Sequence, residues 1–418
     1  MIKILGPQAY CNPEIMASTQ MWNQLDEAFA KNGMYHVVYA PIPTRGVTDA
    51  VRKIYKHKKR ETLYGGMLEI HRFPLIREGK NPILRALRYF MFCAIALCKC
   101  LYGREAKECN VIYSVSTPPI LGAMSVVVKK LRKIPFVYVL QDIFPDSLVG
   151  TGLAKKGGLL WRIGRKVEDY TYQNADKIIV ISEDFRRNVV DKGVPKEKIA
   201  VVYNWVDENA VVPVDRKNNP LFDELGISRG KFYVVYAGNL GNAQNIDVII
   251  DSAKEMVEDN ETEFLIFGSG GLKEQLVDKV KNYGIENVRF FPLQPIERIS
   301  YVYSIGNVCV VSCKPKLGGA AMPSKTLSIM SAGRPVLASF DMGELTYILE
   351  HHKCGMYAPA GDVDAFVKII RTMVADRKIC EEMGRNARRL ILERFTYKHG
   401  TQKYVEIIKS VLEMNIQR

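Results

Sequence analysis

Short apolar runs alternate with longer amphipathic stretches along the whole 418-residue chain. MIKIL, HVVYA, VIYSVS, PFVYVLQD, KIIVIS and IAVVYN predict strands in the first half. FYVVYAGN, TEFLIFGSG, VRFFP, NVCVVSC, RPVLAS and CGMYA predict strands in the second. Their apolar residues run on rather than alternate, as in strands covered on both faces of a parallel sheet. Stretches such as NIDVIIDSAKEMVED and LKEQLVDKVKNYG carry apolar residues at helical spacing and suit crossover helices. The βαβα order restarts near residue 231, so the fold class is α/β, with two doubly wound domains. The segment from Val206 to Gly230 holds Pro213 and a polar run and reads as the linker. The expected units are residues 1–205, residues 206–394 and a closing helix, 395–418. Tyr404, Ile407, Ile408, Val411 and Leu412 on that helix suit packing back on the first unit.

Charge separates the halves. Residues 1–200 carry 32 Lys+Arg against 18 Asp+Glu, whereas residues 201–418 carry 27 of each. Within residues 51–100 there are 12 basic and 3 acidic side chains. The first half is therefore suited to an anionic partner: an acidic membrane surface, a phosphorylated substrate or nucleic acid. No nucleic-acid module is present, and stacked buried strands speak against that partner. The segment NPILRALRYFMFCAIALCKCLYG, residues 81–103, mixes cations with apolar residues behind the basic cluster VRKIYKHKKR. It fits a helix lying in a bilayer interface, and it also fits a core helix. The opening MIKILGPQAY reads as a first strand rather than a signal peptide, and no stretch approaches a spanning helix. The nine cysteines form no zinc-type spacing and suit reduced thiols.

Candidate chemistry collects at strand ends of the second half. In YAGNLGNAQN, Gly238 and Gly241 allow tight turns and close approach of backbone to a ligand. In FGSGGLKEQL, Gly268, Gly270 and Gly271 end a strand and Lys273 opens a helix. A cation there is unfavourable unless an anion sits beside it, although a solvated surface lysine is the plainer alternative. In AAMPSKTLSIMSAGRPVLAS, Pro323 precedes a helix start at Ser324, Lys325 and Thr326, an anion cradle of lysine and free amides. Pro292 in FFPLQP ends another strand where backbone can face a nucleobase. In the first half, Asp142 of VLQDIFPDS lies at a strand end as a candidate base or hydroxyl-orienting group. Asp146 reads as structural.

These pieces, with NPE (residues 12–14), ADKIIVIS and VVYNWVD, together resemble the retaining GT-B glycosyltransferases of bacterial surface-polysaccharide assembly (O-antigen, capsule, exopolysaccharide). That large family includes the phosphatidylinositol mannosyltransferases. The resemblance implies two Rossmann-like domains facing across a cleft and a nucleotide-sugar donor, usually UDP- or GDP-linked and carrying a hexosyl or N-acetylhexosaminyl group, on the second domain. It implies donor contacts from Gly238, Asn239, Gly241, Gly268, Gly270, Lys273, Pro292, Ser324, Lys325 and Thr326. Pro13, Glu14 and Asp142 would meet the acceptor, a polyprenyl-diphosphate-linked saccharide. Asp142, Lys273 and Lys325 would be the catalytic groups. Neither a metal nor another cofactor is expected, because the leaving diphosphate can itself take the acceptor proton in a front-side, retaining reaction. The enzyme is expected in the cytoplasm, peripheral on the inner membrane face through residues 51–103.

The chain departs from the family where many relatives carry two glutamates eight positions apart. Ala320 and Ser328 stand there. An arginine and a lysine of many relatives fall near Asn239 and Gln244–Asn245, which shifts diphosphate neutralisation onto Lys273 and Lys325. Two other readings share the scaffold: a UDP-N-acetylhexosamine 2-epimerase, which needs no acceptor, and a nucleotide-sugar-binding subunit without turnover.

Overall fold

The continuous apolar runs fold into two sheets in a computed structural model that describes residues 1–15, 19–79, 81–150, 154–317 and 322–416. Met1–Tyr203 with Lys398–Arg418 forms one unit, and Asn204–Tyr397 forms the other.

The strands of the first unit are β1 (Lys3–Pro7), β2 (Tyr35–Pro41), β3 (Arg60–Leu63), β4 (Leu68–Phe73), β5 (Val111–Val115), β6 (Phe136–Leu140), β7 (Lys177–Val180) and β8 (Ile199–Val201). They lie in the order β3-β4-β2-β1-β5-β6-β7-β8. Every pairing is parallel except the β3–β4 hairpin at the edge. The helices are α1 (Thr19–Lys31), α2 (Asp49–His57), α3 (Pro82–Tyr102), α4 (Ile120–Arg132), α5 (Asp146–Gly150), α6 (Leu159–Asn174) and α7 (Glu183–Asp191). Asn81 caps α3 by accepting from the Ile83 and Leu84 amides, with Pro82 in its first turn.

The sequence reading does not anticipate β3 and β4. In β4, Glu69 and Arg72 interrupt the apolar run, yet both are buried, Glu69 against Tyr35, Arg60 and His71.

In the second unit β9 (Phe232–Asn239), β10 (Thr262–Ser269), β11 (Val288–Phe291), β12 (Val308–Ser312), β13 (Val336–Phe340) and β14 (Gly355–Pro359) form a parallel sheet in the order β11-β10-β9-β12-β13-β14. Each was legible as an apolar run. The helices continue as α8 (Leu221–Glu224), α9 (Asp247–Glu255), α10 (Lys273–Tyr283), α11 (Ile299–Ile305), α12 (Ser324–Ser331), α13 (Glu344–His351), α14 (Val363–Ala375), α15 (Arg377–Arg394) and α16 (Tyr397–Ile416).

The stretch read as a linker is packed into the second unit. Val211, Leu221 and Phe222 are buried, and Arg388 holds the Glu208 and Val211 carbonyls. The closing helix α16 contributes Tyr404, fully buried and in edge contact with Tyr113 of β5.

Candidate functional site

Strand order in the second sheet reverses between β9 and β12, and such a switch point leaves a crevice at the carboxyl ends of the strands. β9 ends in Gly238 and Asn239, in register with Gly268 and Ser269 of β10. The two following turns brace each other: Leu240 donates to the Ser269 carbonyl at 2.8 Å, and Leu272 donates to the Leu240 carbonyl at 3.1 Å. This packing requires glycine. A methyl on Gly268 would lie 2.6 Å from the Gly238 carbonyl. One on Gly270, at φ +156°, would lie 2.5 Å from the Leu240 carbonyl. A side chain on Gly241 would likewise meet Asn239 Nδ2 at 2.6 Å.

Lys325 reaches back from the first turn of α12 to this glycine floor. Its Nζ lies 2.9 Å from Tyr236 Oη and 4.0 Å from the centre of the Tyr236 ring. A methyl on Gly238 would come within 2.8 Å of it. Burial lowers the Lys325 ammonium to about 8, because the surrounding groups replace little of its hydration. A desolvated cation facing side-chain-free backbone fits a phosphate.

Two helix starts reinforce it. Neither Pro323 before α12 nor Leu272 before α10 offers a side-chain cap. The first-turn amides other than those of Lys273 and Thr326, which bond to the Gly270 and Pro323 carbonyls, are therefore available to an anion. Ser324 is exposed at the start of α12. Lys273 opens α10 half-exposed, and no ion pair of its side chain is found among the described residues.

Other expected donor residues fall differently. Thr326 is wholly buried, so its hydroxyl presents no surface to a ligand. Pro292 is exposed just beyond β11, two strands from β9, roughly 10 Å across the sheet. Ser328 lies within α12, whereas Ala320 lies outside the described residues. Sequence reasoning missed Lys314, which follows β12 at the switch point and holds Asn242 Oδ1. The run CKPK immediately after an apolar strand was the available signal.

The first sheet reverses its order between β1 and β5, and a cleft opens there. Tyr10, Asn12, Trp22, Asn23, Asp26 and Gln141 line it with other residues of the β1, β5 and β6 ends and α1. Aromatic faces among amides and a carboxylate suit a sugar, which offers apolar ring faces and hydroxyls. Asp26 is held by His36 Nδ1 at 2.8 Å.

Pro13, Glu14 and Asp142 are not among the residues that line this cleft. Glu14 is buried, and its carboxylate accepts the amides of Thr44, Arg45 and Cys11 at 2.8, 3.0 and 3.1 Å. It ties two loops together. Asp142 lines a separate small cavity with Tyr138, Phe144, Glu168 and Tyr172. Burial raises its carboxyl, against hydrogen bonds from Ser147 and the Ile143 backbone. Asp146 pairs with Lys192 at 2.8 Å and accepts from Trp161 at 3.3 Å. Glu69, His71 and Glu105 converge closely enough to suggest a metal, but Arg60 and Tyr35 already occupy the Glu69 oxygens.

Residues 218–390 match the family described as Glycosyl transferases group 1. Residues 21–210 match Glycosyltransferase Family 4. A probable glycosyltransferase of Pseudomonas aeruginosa, WbjE, is 26% identical over 82% of this chain and 84% of its own. The putative colanic acid biosynthesis glycosyl transferase WcaI of Escherichia coli is 26% identical over 67% of this chain and 68% of its own. Among solved structures, sucrose-phosphate synthase from Thermosynechococcus elongatus superposes with a TM-score of 0.77 at 16% identity, covering 99% of this chain and 100% of that one. HepE of Anabaena in complex with UDP gives 0.72 at 16% identity, covering 98% and 100%.

Proposed function

We propose that the chain is a GT-B glycosyltransferase that transfers a hexosyl or N-acetylhexosaminyl group from a UDP-sugar to a lipid-linked saccharide, with retention of configuration. The observation that carries the donor half is Lys325. A largely desolvated ammonium with no charged partner among the described residues, set against Gly238, is stable only at a cost unless a diphosphate supplies the counter-charge. HepE, a structural relative, is described in complexes with UDP and with UDP-glucose. Lys325, Lys273 and the amides opening α10 and α12 hold the diphosphate, and Lys314 adds charge at the β12 end.

The acceptor hydroxyl attacks the anomeric carbon as the bond to the diphosphate breaks. The hydroxyl proton passes to a diphosphate oxygen, and the lysines stabilise the charge that builds there. The chain uses these cations in place of a metal. The cleft at the first sheet's switch point receives the acceptor sugar between Tyr10 and Trp22, with Asp26 and Gln141 on its hydroxyls. The basic excess of residues 51–100 supports an acceptor presented at an anionic membrane, contacted through residues 51–103. This reading puts the enzyme at the inner face of the cell membrane and its product in a surface polysaccharide; WcaI, a relative, is named for colanic acid biosynthesis.

The test follows release of nucleoside diphosphate from UDP-, GDP- and dTDP-sugars with and without a polyprenyl-diphosphate sugar, in the presence of EDTA. Release that needs both substrates and survives EDTA supports the proposal. Donor consumed equally without acceptor points to an epimerase or hydrolase instead.

A further inference from the structure

The three helices α3, α4 and α6 pack side by side with α4 in the middle. Their carboxyl ends are tied together: Arg132 of α4 donates to the Cys100 carbonyl of α3 at 3.3 Å, and Lys129 donates to the Asn174 carbonyl of α6 at 2.8 Å. They therefore run parallel, and each starts at the carboxyl edge of the first sheet. Counting back from those ties, α3 and α6 each extend about six residues beyond the start of α4, roughly 9 Å of helix.

Each of those projecting tips exposes three large apolar side chains close together, whereas others of the unit, such as Ile54, Tyr102 and Leu131, are exposed elsewhere. Ile83, Leu84 and Leu87 on the α3 tip are 77%, 53% and 49% exposed. Leu159, Leu160 and Ile163 on the α6 tip are 78%, 52% and 53% exposed. The rest of α3 is not available for an in-plane helix, because Phe92, Cys93, Ala96 and Cys100 are in the core. Cations surround the tips. Lys155, Lys156, Arg162 and Lys166 are exposed around α6, and none of them forms an ion pair among the described residues. Arg77 and Arg85 stand beside α3.

Apolar tips complement an acidic bilayer and not an uncharged protein groove when cations flank them, unpaired among the described residues around α6 and paired with Asp49 and Glu78 beside α3. We infer that the unit docks end-on to an anionic bilayer, inserting the α3 and α6 tips as two prongs. At ordinary helix spacing the prongs stand roughly 18 Å apart. The recessed start of α4 lies between them, and Thr117 and Leu121 there are also walls of the sugar-binding cleft. A lipid head held between the prongs would thus sit at the mouth of that cleft. This last point rests on the lipid-linked acceptor proposed above; the docking does not.

The experiment is flotation of the full chain with vesicles of phosphatidylcholine, with and without phosphatidylglycerol, comparing the wild type with Leu84→Glu, Leu160→Glu and the double variant. Both sites are exposed, so melting temperatures should stay at the wild-type value, and donor-induced stabilisation, read in parallel, reports the other unit. The expected result is binding that needs phosphatidylglycerol and weakens with salt. Each single variant should lose several-fold, and the double at least tenfold. Equal binding by wild type and double variant overturns the inference, as does binding indifferent to lipid charge. A wild type that self-associates without lipid, and ceases to do so in the double variant, would assign the face to a second copy instead. Loss of donor stabilisation in the wild type would count against the transferase reading while leaving the docking result to stand by itself.

Discussion

At the carboxyl edge of the second sheet the groups proposed to face the donor are glycine backbone and lysine: Gly238, Gly268 and Gly270 with Lys273 and Lys325. At the same edge of the first sheet they are the side chains Tyr10, Asn12, Trp22, Asn23, Asp26 and Gln141. The same doubly wound topology thus presents two chemistries. Close backbone approach and fixed positive charge select a phosphate of any attached sugar, whereas aromatic faces and hydrogen-bonding side chains discriminate among sugars. Substitutions in the second unit should accordingly abolish donor use, and those in the first should move acceptor preference.

The largest expected separation comes from Lys325→Met. Its kcat/KM should fall by about 100-fold or more, since it removes charge developed against in the transition state. The unliganded protein should nonetheless become more stable at pH 7, by about 1–3 kcal/mol, because a desolvated cation is gone. Steady-state kinetics and urea melts of one preparation test both halves, and a destabilised Lys325→Met would refute the buried-charge argument. Next in size, Gly270→Ala should cost about 2–4 kcal/mol and abolish donor stabilisation, since its methyl meets Leu240 at a disfavoured φ. Gly271→Ala, with open space around it, should stay within about 0.5 kcal/mol of wild type. In the first unit, Trp22→Ala should raise acceptor KM about tenfold and leave donor affinity unchanged.

The pH effect is the smallest. The Lys325 pKa is depressed in the folded chain, so the destabilisation is fully present below about 8 and is relieved as pH rises from there towards the unfolded value. Donor affinity runs the other way and weakens above about 8 as the free lysine loses its proton. Both slopes should vanish in Lys325→Met, and calorimetry across pH 7 to 9.5 would read them.

The second unit was legible because its strands read as short, mostly apolar runs, and the glycines and lysines proposed for the donor site lie at the ends of those runs or in the loops and helix starts that come after them. The first unit hid more. β4 was missed because Glu69 and Arg72 break its pattern and are buried through polar partners. The sugar cleft draws on residues 7–12, 19–26, 115–121 and 141, which no local pattern unites. In α3, periodicity marks a helix but not its orientation. Arg88 is fully buried, donating to the Ile76 carbonyl and Thr44 Oγ1, while Phe90 is 62% exposed. Glu14 was singled out by the NPE resemblance and Asp142 by its place at a strand end, but two of the amides that hold Glu14 come from residues 30 and 31 positions away.

The measurement that bears most directly on the division between the two edges is a thermal-shift titration with UDP-, GDP- and dTDP-sugars on wild type, Lys325→Met and Trp22→Ala. The account predicts a concentration-dependent rise in melting temperature for the UDP class, absent in Lys325→Met and intact in Trp22→Ala. A rise that survives Lys325→Met, or that is lost in Trp22→Ala, would contradict the assignment of the donor to the glycine-and-lysine edge.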